Sequence, residues 1–227
     1  MEYMIKMRGL HLGKGIGAMR WGRFLFYFLL TAMSIAKPFS EEEVAELIQE
    51  YSRRYGVKEE YLYTLASIES DFEPMAITVE TSGTKAAILS NLRKAGVRVL
   101  YSPKSKTFHS KRNVVAIYPE DKETAMYIIR LLKAAHFTFD VGLMQINSVN
   151  FSLKEAPDIL FPRYNVKKAA EVFNGCQKRF RRLVHQVECY NRGAGNLSKA
   201  IRRGSHYYPY WVRFRRHYRR YFNKEPR

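Results

Sequence analysis

The sequence predicts a mainly α fold of the α+β class, one helical domain carrying a small β hairpin. Three observations predict it. Apolar residues recur at three- and four-residue spacing beyond residue 40. Helix starts and stops are written in capping and breaking residues. Two short β-branched runs flank a polar loop. With 227 residues, 46% hydrophobic and 26% charged, the chain can bury a real core, and its composition excludes wholesale disorder.

The first segment stands outside that fold. Residues 1–23 hold Lys6, Arg8, Lys14, Arg20 and Arg23 against one acid, Glu2, and an apolar run from Phe24 to Ile35 follows. Ser34-Ile35-Ala36 is a small-x-small site. The pattern reads as a secretory signal peptide over 1–36, because crossing a bilayer needs roughly 20 apolar residues. Left uncleaved, the segment tethers the chain to a membrane instead. The exported domain is then 37–227.

Within it, Ser40 followed by Glu43 is a capping-box start. Val44, Leu47, Ile48, Tyr51 and Tyr55 keep helical spacing up to Gly56, a stop. A second helix runs from Lys58 to Ser70, ahead of Pro74, and 84–95 reads as helix again. VRVLY (97–101) and NVVAIY (113–118) make the hairpin around a basic, Ser-rich loop. Pro119 opens a helix to Ala134, with Ala125, Ile128, Ile129 and Leu132 on one face. Helices over Asn165–Phe180 and Leu183–Tyr190 follow a loop, and 198–227 is a basic, aromatic C-terminal helix.

The net charge is +18, and losing five basic side chains and one acidic one with 1–36 leaves +14. Such a surface favours anionic partners, and export argues against nucleic acid among them. Much of the charge lies in Arg202–Arg227, where arginines alternate with aromatics in YWVRFRRHYRRYF. That stretch reads as an amphipathic helix with a solvated basic face; holding the chain on an anionic surface is the alternative. Cys176 and Cys189 are the two cysteines. On one continuous helix they would lie ~20 Å apart, too far to bridge, whereas a break near Phe180–Arg182 permits a disulfide. Two small buried residues are the other reading. His109, His136, His185, His206 and His217 show no ligand spacing, so no metal and no cofactor are expected.

One carboxylate is out of place. In YLYTLASIES, Glu69 falls four residues after Leu65 and three after Ala66, on the apolar stripe and at the helix C-terminus. Desolvation and the helix dipole both raise a carboxyl pKa there. A carboxyl kept protonated near neutrality is what cleavage of a glycosidic bond requires. Taken alone, such a glutamate also suits a snorkelling or ion-paired side chain.

Three segments in order give it a context: IESDFEP (68–74), FDVGLMQIN (139–147) and ECYNRGAGN (188–196). Together they resemble the soluble lytic transglycosylases, over roughly Glu41 to Arg220. The resemblance implies a lysozyme-like helical domain. It puts the acid/base on Glu69, with Ser70 beside it. Gly142, Leu143, Met144 and Gln145 would form a loop and helix start lining the glycan cleft, Gln145 contacting sugar. Tyr190 and Asn191 would flank the carboxyl. Leu143 and Met144 also suit plain packing, and Asn191 with Gly193 and Gly195 a helix C-cap and turn.

Two departures are visible: Cys189 stands where a small residue such as alanine is common, and the 75–138 insert separates the first two motifs. The end of the insert, with Asn147, Asn150 and LFPRYNVKKAAEVF, is similar to the subgroup associated with conjugation and type IV secretion. The implied reaction is non-hydrolytic cleavage of the MurNAc-β-1,4-GlcNAc bond to a 1,6-anhydro product. Asp71, Glu73 and Asp140 are candidate second acids for a goose-type muramidase, the nearest rival, and a non-catalytic wall-binding module is another. The implied setting is periplasmic, as a monomer on peptidoglycan glycan strands, with secretion or conjugation machinery as a further partner.

Overall fold

Helix α1 (Glu41–Tyr55) begins where its capping residues dictate. The Ser40 hydroxyl accepts from the Glu43 amide at 3.1 Å, and the Glu43 carboxylate accepts from the Ser40 amide at 2.8 Å. Gly56, at φ 64°, closes it in the left-handed conformation. Helix α2 (Glu59–Glu69) buries Leu62, Leu65 and Ala66 completely. The computed structural model describes residues 39–82, 91–103, 112–204 and 206–226. The signal-peptide segment 1–36 and residues 84–90 of the third expected helix lie outside them; 91–94 form a helical turn.

The hairpin is present but belongs to a larger sheet. Strands β1 (Ile77–Ser82), β2 (Arg98–Pro103), β3 (Arg112–Tyr118), β4 (Phe139–Val141) and β5 (Ile146–Asn147) lie in the order β2-β3-β1-β4-β5. Each neighbouring pair is antiparallel. Val79 faces Val115 on one side and Phe139 on the other, and Ile77 faces Ile117 and Val141. All six are buried, so one face of the sheet is core. The pairing of β1 with β4 joins the 75–138 segment directly to the second motif.

Helix α3 (Lys122–Ala134) starts at Asp121, whose carboxylate accepts from the Thr124 amide, and buries the four expected residues. After it come a short α4 (Ala156–Ile159) and α5 (Pro162–Arg179), the latter opened by proline in its first turn. Then follow α6 (Leu183–Arg192), α7 (Ala194–Arg202) and α8 (Pro209–Phe222).

Gly193, at φ 77°, is the expected C-cap of α6 and turns the chain straight into α7. One expectation changes here. The 198–227 segment is the end of α7 followed by a separate α8, with Pro209 starting the second helix. The break at residues 180–182 lets α5 and α6 fold together, and Cys176 and Cys189 form a disulfide with Cα atoms 5.8 Å apart.

Among the described residues, no helix is long and apolar enough to cross a membrane.

Candidate active site

Glu69 is the last residue of α2, and the chain turns sharply after it. Asp71 and Phe72, at φ 53° and 62°, both occupy the left-handed region, an uncommon place for side chains larger than glycine. The turn is held from both ends. The Ser70 hydroxyl donates to the Leu143 carbonyl at 2.7 Å and accepts from the Glu73 amide at 3.1 Å. The Phe72 ring packs on Tyr63, centroids 4.9 Å apart. Ser70 therefore ties the end of α2 to the second motif.

That motif is a tight turn over 142–145 entering β5, not the start of a helix as expected. Its shape is set by Asn165, buried on α5. The Asn165 side chain accepts from the Met144 amide at 2.7 Å and donates to the carbonyls of Val141 and Ile159, each at 2.9 Å. A Cβ at Gly142, where φ is 83°, would sit 2.3 Å from the Asn165 amide nitrogen. Glycine is required for close approach as well as for conformation.

The remaining second-motif residues divide. Leu143 and Met144 are fully buried, so their side chains belong to the core, and their carbonyls serve Ser70 and Tyr190. Gln145, half-buried at φ 46°, donates both amide hydrogens to backbone, to Ala76 at 3.0 Å and Gly142 at 2.9 Å. Its amide oxygen is what it can offer a ligand.

From the third motif, the Tyr190 hydroxyl donates to the Met144 carbonyl at 2.8 Å, so its hydrogen bond goes to the turn and not to Glu69. Asn191 is exposed at the end of α6, and among the described residues nothing ties its side chain to Glu69 or the turn.

The partner of Glu69 comes from elsewhere. Tyr210, buried in the first turn of α8, donates its phenol to Glu69 Oε1. Three residues on, the Arg213 guanidinium donates to the Ile68 carbonyl at 3.2 Å. Burial, above all, pushes the Glu69 carboxyl up to about 7, and the charge of Asp140 adds to the rise, while the Tyr210 hydrogen bond and the Arg213 charge oppose it. Asp140, on β4, accepts from the Asn147 side-chain amide Nδ2 at 2.8 Å. Burial, the Glu69 charge and its hydrogen bond raise the Tyr210 phenol well above its ordinary range, so it stays a donor.

Sequence reasoning missed Tyr210 and Asn165. Tyr210 was hidden in a stretch read for its charge. Asn165 was expected only as the first residue of a helix, which in fact begins at Pro162.

Of the other candidate acids, Asp71 acts electrostatically on His217 of α8. A groove of about 720 Å³ between α1 and the start of α5, lined by Leu47, Tyr51, Phe161 and Tyr164 among others, contains none of these site residues.

A buried carboxyl raised to about 7, with a phenol on one oxygen, is equipped to donate a proton and then take one back. No curated protein and no solved structure matches the chain at a significant level. The family model described as the transglycosylase SLT domain matches residues 46–208, which include Glu69, the 142–145 turn and Tyr190. That match covers most of the chain, and the chain belongs to the transglycosylase SLT domain family.

Proposed function

We propose that the chain is a peptidoglycan lytic transglycosylase with Glu69 as its single acid/base. The observation that carries this reading is the state of that carboxyl: seated at the end of α2, raised to about 7 by burial, and held by Tyr210. Glu69 donates its proton to the oxygen joining MurNAc C1 to the neighbouring GlcNAc as that bond breaks. As carboxylate it then takes the proton of the sugar's own C6 hydroxyl, whose oxygen closes on C1. One carboxyl acts twice, no water is consumed, and a 1,6-anhydro end is left.

One observation favours a second reading. Asp140 acts on Glu69 through its charge. A second carboxylate near the acid is what a muramidase uses to activate water.

The setting belongs to the same proposal. The 1–36 segment supports export to the periplasm, and the Cys176–Cys189 bridge fits an oxidising compartment. Opening the wall locally for a secretion or conjugation apparatus rests on the likeness of residues 139–173 to that subgroup.

Mass spectrometry of muropeptides released from purified peptidoglycan tests the reaction. Anhydro ends from the wild type and none from Glu69→Gln are the expected result. Reducing ends establish the hydrolase, and release that survives Glu69→Gln overturns the assignment of Glu69.

A further inference from the structure

We propose that Glu188 is a positioning residue for the reaction: from inside α6 its carboxylate grips the N-terminus of α8 and so places Tyr210 on Glu69. The proposal rests on the reading of Glu69 as the acid/base.

A helix leaves its first N–H groups without partners, and a capping side chain normally supplies an acceptor. Helix α8 has no such side chain of its own: Tyr208 stands at the cap position and Pro209 and Tyr210 follow. Glu188 supplies the acceptor from another helix. Its Oε1 accepts from the Trp211 amide at 2.9 Å, and negative charge is favoured at that end of a helix. Trp211 is the residue next to Tyr210.

Glu188 has 0% exposure, so its direction is fixed by packing. Its Oε2 accepts from Arg192 Nε at 2.7 Å, one turn further along α6. Arg192 in turn donates from Nη2 to the Tyr207 carbonyl at 3.0 Å. The pair therefore grips the incoming chain on both sides of Pro209. His185, also on α6, meets the Tyr208 hydroxyl at 3.2 Å and completes the grip. From this seat Tyr210 reaches Oε1 of Glu69, and a small tilt of the first turn of α8 would break that bond.

The charged and titratable groups around the two carboxylates are distinct. Glu69 faces Asp140 from β4, Tyr190 from α6, and Tyr210 and Arg213 from α8. Glu188 faces Arg192 and His185 from its own helix and the N-terminal amide of α8. Glu188 thus acts through Tyr210. The sign follows: losing the Tyr210 hydrogen bond removes an influence that lowers the Glu69 pKa, so the Glu69 midpoint rises.

The test is a carboxyl-carbon NMR titration of Glu69 in the wild type and in Tyr210→Phe, Glu188→Gln and the pair Glu188→Leu with Arg192→Leu. The apolar pair fills the space without stranding a buried charge. The Glu69 midpoint is expected to rise by about 0.5–1 pH unit in Tyr210→Phe and equally in the apolar pair, with no further rise when the two are combined. Glu188→Gln keeps an oxygen for the Trp211 amide and is expected to titrate like the wild type. An unmoved midpoint in a folded apolar pair overturns the proposal. So does a pair that cannot fold, which would make Glu188 a folding residue only. The titration needs no turnover, so a wild type that cleaves nothing would defeat the proposed activity without being mistaken for failure here.

Discussion

Tyr210 donates its phenol to Oε1 of Glu69 from a residue 141 positions further along the chain. The bond stabilises the ionised carboxylate, while burial and Asp140 favour the protonated acid, and the balance falls at about 7. An acid needed in protonated form loses activity as pH rises through its pKa. Tyr210→Phe is therefore expected to move the alkaline limb of the turnover–pH profile upward, with lower turnover at the optimum. Cleavage rates from pH 5 to 9 check this, and a limb that stays in place would detach Tyr210 from the acid.

The raised acid also has a stability signature. Between the ordinary glutamate value of 4.5 and about 7, Glu69 is protonated when folded and ionised when unfolded. The unfolded state then binds fewer protons, so stability falls as pH rises through that window and is fully retained below it. Glu69→Gln is expected to stabilise the fold by about 1–3 kcal/mol at pH 8 and by little at pH 4. Thermal unfolding at both pH values measures it, while turnover drops by about 10²–10⁴-fold.

Gly142 and Asn165 form one joint. Gly142→Ala puts a methyl group into the Asn165 amide at a positive φ and is expected to cost about 2–4 kcal/mol. Asn165→Leu leaves one amide and two carbonyls without their buried partner and is expected to cost about 3 kcal/mol or more. Denaturant midpoints check both values. Near-additive costs in the double variant would show that the two sites do not share a joint.

Reduction of the Cys176–Cys189 bridge is expected to lower stability by roughly 3 kcal/mol, as for a short closed loop. Equilibrium unfolding with and without reductant measures it, with the Cys176→Ser/Cys189→Ser chain as the control that must not respond.

Arg216 and Arg220 are exposed on α8; burial first, then the charges of Arg213, Arg220 and Arg216, depress the His217 pKa. If that face holds the anionic wall, Arg216→Gln with Arg220→Gln lowers retention on purified sacculi several-fold at low salt, with the difference vanishing near 1 M. A merely solvated face predicts equal retention throughout, and pull-down across a salt series decides between them.

Legibility in the sequence followed the range of the interactions. Ser40 with Glu43 and the Leu62–Leu65–Ala66 stripe act within one turn of helix, and those elements stand where local pattern puts them, whereas α3 is capped by Asp121 and not opened by Pro119. Strands β4 and β5 have three and two residues, too few for an alternation to register; β4 forms on the edge of β1, and β5 on β4. In β1 the apolar alternation spans only Ile77 to Glu80, too short a run to stand out beside the helical periodicity before it. In the site, Glu69 was legible because a charge on an apolar stripe is a local contradiction. Tyr210 was not, since one tyrosine among arginines announces nothing until α8 lies against α2.

Asn165 also bears on the order of folding. The Met144 amide finds its partner 21 residues away on α5, so the 142–145 turn cannot take its final shape as an isolated loop. It closes only when α5 has docked, after a non-local contact whose loop entropy has already been met. A chain whose α5 has not docked therefore holds Glu69 beside a turn that lacks its buried partner. On the proposed reading of Glu69, the acid and the turn beside it come into register only in the docked fold.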